Sequence, residues 1–217
     1  MIIDLIAKKM LVRMFFVTDK KQYIKTQKRM EKKRCSWCEK DPIYIAYHDE
    51  EWGDPVYDDD TLFEFLILET FQAGLSWITV LKKRENFRKA FDQFDYQKIA
   101  KYSQEKMETL QQDAGIIRNK LKIKAAVSNA QAFIEIQKEF GSFSKYIWRF
   151  VAGKPIVNTF KNRSEMPANT PLSDVISKDL KKRGFKFVGS TIIYAYMQAT
   201  GIVNDHAHDC FRHKELS

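Results

Sequence analysis

Residues 103–140 have the sequence SQEKMETLQQDAGIIRNKLKIKAAVSNAQAFIEIQKEF. Ser103 can cap a first helix, a turn that contains a glycine follows at residues 113–117, and a longer helix is predicted over residues 118–140. Gly141 should end this second helix, because glycine takes the left-handed conformation after a final helical turn without steric cost. Two helices joined by a short turn therefore set the fold of this region, which is α-helical.

The sequence on the N-terminal side of this pair is also helical. From about Asp58 onward, Thr61 and Glu64 have the spacing of a capping box, and residues 62–68 are apolar nearly all round. An apolar helix of this kind is expected to be buried, and Gly74 should interrupt it. The capping box also gives Glu64 a role at the helix start.

Further caps and stops continue the helical pattern in both directions. Ser76 can cap a helix over residues 77–91, whose basic side chains are expected on the outer face: Lys82, Lys83, Arg84, Arg88 and Lys89. Asp95 has the position of another cap, and Gly184 and Gly201 should end the last two helices. Alternating strand patterns are almost absent, and residues 152–172 form a long irregular connection with three prolines. The predicted fold class is mainly α.

Composition excludes several classes of protein. The 217 residues are 44% hydrophobic and 30% charged, which is ordinary for a globular protein and excludes wholesale disorder or a fibrous fold. Three cysteines exclude a disulfide scaffold and fit a reducing compartment, so a cytoplasmic location is expected. Since no apolar run reaches ~18 residues, no membrane-spanning helix and no membrane partner are expected.

The net charge of +9 is concentrated at the N-terminus. Residues 1–34 contain eleven Lys or Arg and three acidic residues, a net +8, which leaves +1 for residues 35–217. Residues 1–29 are predicted to be a loosely ordered basic extension, with a DNA-following arm or an amphipathic membrane contact as alternatives. Residues 30–217 are predicted to form a single helical domain, whose charge alone says nothing about DNA.

Cysteine and histidine residues lie at both ends of this domain. Cys35-x-x-Cys38 and His206-x-x-x-Cys210 have the spacings of metal ligands, and His48 follows the first pair. Zinc takes four such ligands in a tetrahedron, so a site drawn from both ends would tie the ends together. Free buried thiols and surface histidines are the alternative.

An acidic residue interrupts the apolar helix, and aromatic residues surround it in sequence. Glu69 follows residues 65–68, and a carboxylate in such surroundings must be paired, hydrogen-bonded or raised in pKa, unless it lies at a partly exposed helix edge. The aromatic residues are Trp37, Tyr44, Tyr47, Trp52, Tyr57 and Trp77. Core packing explains such residues by default, but they also build pockets that stack flat rings.

The turn at residues 113–117 favours an interaction with phosphate. A glycine turn at a helix N-terminus presents backbone N–H groups, and the following Arg118, Lys120 and Lys122 supply positive charge. The arrangement over about residues 103–134 is similar to a helix-hairpin-helix DNA-binding element. Any short helix pair with a glycine has a similar pattern, so this motif is weak when taken alone.

Six segments in the same order make the sequence resemble the 3-methyladenine DNA glycosylase I family. They are RCSW at 34–37, DPIYIAYHDEEWG at 41–53, LETFQAGLSWITVLKKR at 68–84, DAGIIR at 113–118, KKRGFKFVG at 181–189 and GIVNDH at 201–206. The resemblance extends from about residue 30 to the C-terminus. It implies a helix-hairpin-helix glycosylase fold and a monomeric enzyme. This enzyme would hydrolyse the N-glycosidic bond of N3-methyladenine in double-stranded alkylated DNA and leave an abasic site.

The resemblance also implies roles for individual residues. A structural zinc would be bound by Cys35, His48, His206 and Cys210. Glu69 would act in the base pocket together with Tyr47 and Trp77, with Trp52 and Trp37 nearby. The hairpin would bind DNA through Gly115, Ile117, Arg118 and Lys120. Because the chain has no aspartate between Asp113 and Asp174 and no obvious nucleophilic lysine in the matching place, a monofunctional hydrolase without lyase activity is expected.

Two other classes of function remain as alternatives. A non-enzymatic DNA-binding protein with a zinc clamp would need the hairpin but would leave Glu69 unexplained. A zinc hydrolase would keep one metal position open for water, and four available protein ligands argue against it. Cys38 and His208 lie outside the family's ligand set and could compete for the metal.

Overall fold

The computed structural model describes residues 32–38, 40–161 and 163–217. The mainly α prediction is confirmed: in these residues α-helices dominate, and the strands form a single short pair. The helices are α1 (Pro42–Glu50), α2 (Asp59–Gln72), α3 (Trp77–Leu81), α4 (Arg84–Ala90), α5 (Tyr96–Ile99), α6 (Gln104–Gln112), α7 (Lys120–Phe140), α8 (Phe143–Trp148), α9 (Pro171–Lys182), α10 (Ser190–Ala199) and α11 (Phe211–Glu215). The predicted extension over residues 1–29 lies outside the described residues.

Helix α2 is at the centre of the core, as its uniformly apolar sequence predicted. It packs against α3, α7, α8 and α10. Phe63 meets Phe133 of α7 edge to face, with ring centroids 5.0 Å apart, and Phe71 meets Phe87 of α4 at 4.8 Å. Each such buried ring contributes about 1.5–3 kcal/mol. Side chains carried by α2 are therefore held on a rigid element.

The predicted capping box at the start of α2 is wrong. The helix begins directly after Asp58, whose carboxylate accepts a hydrogen bond from the Thr61 amide at 2.8 Å. Two acidic residues then occupy the first turn, where the helix dipole favours negative charge. Glu64 is left for another role, and it binds Arg84 and Arg88 of α4.

The helix predicted over residues 77–91 is divided into α3 and α4. Ser76 occupies the N-cap position as predicted, although its hydroxyl bonds the Thr79 hydroxyl at 2.7 Å and not a backbone amide. Arg84 at the start of α4 is buried, and the expectation that it lies on the outer face is wrong. Its guanidinium is drawn inward because Glu51 and Glu64 both bind it at 2.5 Å.

Residues 103–140 fold as two helices joined by a turn. Ser103 caps α6 through the Lys106 amide at 3.1 Å. Helix α7 begins at Lys120, two residues later than predicted, because the Asn119 side chain accepts hydrogen bonds from the amides of residues 121 and 122. Gly141 ends α7 with a φ of +83°, as predicted.

The C-terminal part of the chain returns to the beginning of the domain. Residues 152–172 are largely irregular, but they contain β1 (Ile156–Val157), which pairs in parallel with β2 (Val203–Asn204). Gly201, with a φ of +68°, packs so closely that a Cβ would lie 2.4 Å from the carbonyl carbon of Asp54. This contact brings residues 205–210 beside α1.

The described helices include none that is both long enough and apolar enough to cross a membrane.

Candidate active site

A pocket opens where α1, α2, α3 and α10 meet. Its lining is mostly aromatic and polar: Trp37, Tyr44, Tyr47, Trp52, Glu69, Gln72, Trp77, Arg163, Met166, Ala195 and Gln198. The structure thus brings together Glu69 and all four aromatic residues that the resemblance placed around it. A flat, polar-edged ligand is the kind of molecule that such a lining fits.

Glu69 is the buried acidic group of this pocket. Its side chain lies on α2 and is only 3% exposed. The Oε2 atom has no hydrogen-bond partner among the described residues. Burial raises the pKa of Glu69 from 4.5 to about 8, because a carboxylate out of water without a partner favours its neutral form. An unpaired buried carboxyl of this kind can accept a hydrogen bond from a ligand when it is ionised, or donate one when it is protonated.

Tyr47 and Trp77 lie next to each other in the pocket. Their ring centroids are 5.4 Å apart, with planes tilted by 44°. Burial raises the pKa of Tyr47 well above its usual value, and the charge of Glu69 adds to this effect, so its hydroxyl stays protonated. The indole Nε1 of Trp77 is buried and has no acceptor among the described residues. The pocket therefore offers two polar groups without partners, one from Glu69 and one from Trp77.

Trp37 and Trp52 extend the aromatic lining toward the ends of the chain. The two rings meet edge to face at 5.0 Å, and Tyr44 lies 4.7 Å from Trp37. Trp52 also contacts the His206 ring at 4.6 Å. The pocket and the cysteine–histidine cluster are thus adjacent, with Trp52 between them.

Cys35, His48, His206 and Cys210 form a buried cluster. All four potential ligand atoms lie within 4.8 Å of one another. The Sγ of Cys210 is 3.4 Å from Nε2 of His48 and 3.6 Å from Nδ1 of His206, and the Sγ of Cys35 is 3.7 Å from the same Nδ1. In a tetrahedral zinc site with ordinary bond lengths, sulfur and nitrogen ligands are about 3.6 Å apart. The cluster therefore has the dimensions of a four-ligand metal site.

The other nitrogen of each histidine ring has its own partner. Nδ1 of His48 lies 2.9 Å from the Asp49 carboxylate, and Nε2 of His206 lies 2.9 Å from the carbonyl of Trp52. Arg34 binds Asp49 through two nitrogens at 2.9 Å. Such contacts fix the tautomer and leave the opposite nitrogen free for a metal. Gly53 makes room for this arrangement, because a Cβ there would lie 2.8 Å from Nε2 of His206.

Neither alternative ligand belongs to the cluster. Cys38 is buried, and its thiol donates to the carbonyl of Cys35 at 3.1 Å. His208 is exposed, and its ring lies 5.7 Å from that of His213.

The turn between α6 and α7 is held in a defined shape. The Asp113 carboxylate accepts from the Gly115 amide at 2.7 Å. The amides of Ile117 and Arg118 donate to no acceptor within the described part of the chain, and the side chains of Arg118 and Lys120 are exposed. Of the four predicted DNA-binding residues, Arg118 and Lys120 are therefore exposed beside two amides that have no acceptor among the described residues, whereas Gly115 and Ile117 are half-buried in the turn.

Lys122 differs from the other basic residues of this segment, and its expected phosphate contact is contradicted. Its side chain is buried, and Nζ donates to the carbonyls of Phe71 and Ala73 at 2.7 and 2.6 Å. Burial lowers the pKa of its ammonium group. Lys122 consequently binds the end of α2 and does not face solvent.

Several pocket residues were missed by the sequence analysis. Arg163 and Met166 come from the irregular segment before α9, and Gln198 comes from α10. No local pattern connects these positions with Glu69, because their proximity arises only from tertiary packing. Gln72 could have been assigned to the pocket from the sequence, since it follows Glu69 by three residues on the same helix.

Comparison with known proteins identifies close relatives. Residues 37–213 match the model of the methyladenine glycosylase family. DNA-3-methyladenine glycosylase 1 of Escherichia coli (strain K12) is 54% identical over 177 residues, which are 82% of this chain and 95% of that protein. DNA-3-methyladenine glycosylase of Haemophilus influenzae is 50% identical over 82% of this chain and 96% of its own length.

Solved structures agree. A crystal structure of a 3-methyladenine DNA glycosylase I matches with a TM-score of 0.81 and 52% identity, over 82% of this chain and 98% of that chain. The Staphylococcus aureus glycosylase, whose structure concerns the recognition of 3-methyladenine, matches with a TM-score of 0.80 and 38% identity, over 82% and 95% of the two chains.

Proposed function

The chain belongs to the methyladenine glycosylase family, as its motifs predicted, and on this premise we propose that it hydrolyses the N-glycosidic bond of N3-methyladenine in alkylated DNA. The products are the free base and an abasic site. The observation that carries the proposal is the unpartnered carboxyl of Glu69, which is almost fully buried in an aromatic pocket. A buried acidic group without a partner is costly unless a ligand supplies one.

Base recognition follows from the groups that line the pocket. Methylation at N3 makes the adenine in DNA cationic, so an ionised Glu69 would complement its charge and accept a hydrogen bond from its amine. Tyr47 and Trp77 would stack on the ring or bond its edge, and Trp52 and Trp37 would complete the aromatic lining. Neutral adenine lacks the charge and would be bound weakly.

The chemical step needs little acid catalysis, because a cationic base is already an activated leaving group. Formation of a covalent lyase intermediate requires an amine nucleophile, and the described residues that line the pocket include no lysine. Glu69 would therefore select and stabilise the departing base, and water would complete a monofunctional hydrolysis.

Zinc is the metal that best fits the cluster at the two ends of the domain. Two thiols and two imidazoles with sulfur–nitrogen distances of 3.4–3.7 Å suit tetrahedral zinc, and all four positions would be protein ligands. Cys35 and His48 would come from the N-terminal end, and His206 and Cys210 from the C-terminal end. Bound zinc would supply structural cross-linking and leave no position for a reactive water.

DNA binding is assigned to the hairpin in the same proposal. The free amides of Ile117 and Arg118 and the exposed side chains of Arg118 and Lys120 would contact phosphates of a duplex, and Gly115 would allow the close approach. The protein would act as a cytoplasmic monomer, with residues 30–217 as the glycosylase domain and residues 1–29 as a basic extension.

The test is release of free 3-methyladenine from methylated duplex DNA by the full chain with its metal retained. Glu69→Gln should weaken binding of the free base by about 1–3 kcal/mol, the scale of a hydrogen bond to a charged group, and excision should fall in proportion. Glu135→Gln, an exposed change on α7 beyond the hairpin, is the matched control and should alter neither quantity.

Two outcomes would contradict the proposal. Duplex binding without base release would favour the non-enzymatic DNA-binding protein. Unchanged base affinity together with excision lost by several orders of magnitude would make Glu69 a base that activates water, and its role in selection would be wrong.

A further inference from the structure

Two lysines form reciprocal bonds between the pocket and the hairpin. Lys122, on the hairpin helix α7, donates to the carbonyls of Phe71 and Ala73. Lys83, in the segment after the pocket, donates to the carbonyls of Ala114 and Gly115 at 3.0 and 3.1 Å. Each segment therefore contributes a lysine that donates hydrogen bonds to backbone carbonyls of the other segment. We call this pair the lysine clasp.

The Lys122 half of the clasp lies at the C-terminal end of α2. Carbonyls in the last turn of a helix have no intrahelical partner, and the negative end of the helix dipole favours a cation there. The Lys122 side chain is buried, and carbonyl oxygens are its hydrogen-bond partners. A cation removed from water in this way keeps its position only while its acceptors stay in place. The contact is therefore sensitive to the distance between α2 and α7.

The acceptors of Lys122 lie between Glu69 and Trp77, two pocket residues of this segment. Phe71 follows Glu69 by two residues, and Ala73 precedes the turn that leads to Trp77. On the other side, Lys122 follows Lys120 by two residues and lies in the first turn of α7. The hydrogen bonds of Lys122 thus connect the segment that carries Glu69 with the segment that carries Lys120.

The Lys83 half holds the hairpin turn itself. Its acceptors belong to Ala114 and Gly115, the residues at the apex of the turn, and the Asn86 side chain also reaches the Gly115 carbonyl at 3.4 Å. The carbonyls on the protein side of the turn are therefore bound by side chains of the segment that follows Trp77.

We propose that Lys83 and Lys122 are positioning residues that hold the hairpin and the base pocket in one fixed register, so that a duplex bound at the hairpin places its damaged nucleotide at Glu69. This inference rests on the proposed glycosylase function. Neither lysine touches DNA phosphate or the base in this role. Their effect is on the geometry of the step that joins DNA binding to base capture, and misplacement by about 1 Å can slow such a step by about 100-fold.

The experiment compares Lys122→Met and Lys83→Met with wild type in three assays. These are affinity for free 3-methyladenine, affinity for undamaged duplex with its salt dependence, and the single-turnover rate of excision from methylated duplex. Free-base and duplex affinities should stay within about twofold, while excision should fall by about tenfold or more. Lys83→Arg, which keeps a donor able to reach both carbonyls, should retain most of the rate, and Lys138→Met at the exposed far end of α7 should retain all of it.

Excision within about twofold of wild type in both methionine variants would overturn the inference. Equal losses in all three assays would also overturn it, because the lysines would then only stabilise the fold. If Lys122→Met does not fold, Lys83→Met decides, since Lys83 is only partly buried. Failure of the wild-type protein to release any base would instead contradict the proposed function.

Discussion

Replacement of Glu69 by glutamine should make the folded protein more stable at alkaline pH, although it removes a central residue of the pocket. Glu69 is buried and its pKa is raised from 4.5 to about 8. Between these two pH values the unfolded chain releases a proton that the folded chain retains. The free energy of unfolding of the wild type therefore falls as pH rises through this window and levels off above about pH 8. Glutamine cannot ionise, so its variant lacks this loss.

The size of the effect follows from the shift in pKa. A difference of about 3.5 pH units corresponds to about 5 kcal/mol at most, since each unit is worth 1.36 kcal/mol. The difference in unfolding free energy between Glu69→Gln and wild type should thus grow by roughly 1.4 kcal/mol per pH unit between about pH 4.5 and pH 8. Burial of an unsatisfied glutamine amide costs about 1–3 kcal/mol at every pH. That cost shifts the difference in unfolding free energy by the same amount at every pH and leaves its slope against pH unchanged.

Urea unfolding, followed by circular dichroism, measures the difference in unfolding free energy between Glu69→Gln and wild type. The measurement is repeated at several pH values between about pH 5 and pH 9 with constant metal content. Glu105→Gln is the control for the loss of a carboxyl group, because its side chain is exposed. A constant difference for Glu69→Gln across the same range would refute the reasoning. It would mean that Glu69 is ionised or partnered in the free protein, and that the pocket is not built around an unpaired carboxyl.

Three further predictions concern activity, metal and DNA. If the ionised form of Glu69 binds the cationic base, kcat/KM should rise with pH up to about 8 and then level off, because kcat/KM reports the pKa of the free enzyme. Glu69→Gln should lose this dependence on pH. A kcat/KM that falls between about pH 6 and pH 8 would contradict the assignment. Chelation should lower the melting temperature, and activity should be lost only as the fold is lost. Metal analysis should find about one equivalent of metal in Cys38→Ala but much less in Cys210→Ala. A full equivalent in Cys210→Ala would show that another ligand set binds the metal. Arg118→Ala and Lys120→Ala should each lower the slope of log affinity against log salt for duplex by about one unit, whereas removal of residues 1–29 should leave excision largely intact; the opposite pattern would place DNA binding in the extension.

Local signals in the sequence were sufficient for much of the fold. Ser103 and Asp95 cap helices because their short polar side chains reach the free amides of the first turn. Gly141 and Gly201 adopt positive φ where the predicted stops require it. The residues placed in the pocket and in the cysteine–histidine cluster by the family's motifs also lie together, because the motifs come from both ends of one folded domain.

The direction of individual basic side chains could not be predicted in the same way. Lys122 and Arg84 lie in segments rich in Lys and Arg, where helical periodicity gives each charge an outward position by default. Their actual position is decided by acceptors far away in sequence: carbonyls at the end of α2 for Lys122, and Glu51 and Glu64 for Arg84. A charge is buried where the tertiary fold provides such partners.

Trp52 contacts both the pocket and the cysteine–histidine cluster. Its carbonyl lies 2.9 Å from Nε2 of His206, its ring contacts the same histidine, and both Trp52 and its neighbour Trp37 line the pocket. An unpaired Glu69 carboxyl and an unpaired Trp77 N–H lower the stability of the folded protein in the region where the base is proposed to bind. A metal that cross-links the two ends of the domain would raise the stability at the adjacent position, since a metal bound only by the folded state stabilises that state. A metal bound by the cluster would therefore support a pocket whose polar groups are kept free for a ligand, which is a physical reason for the proposed structural metal to lie beside the pocket.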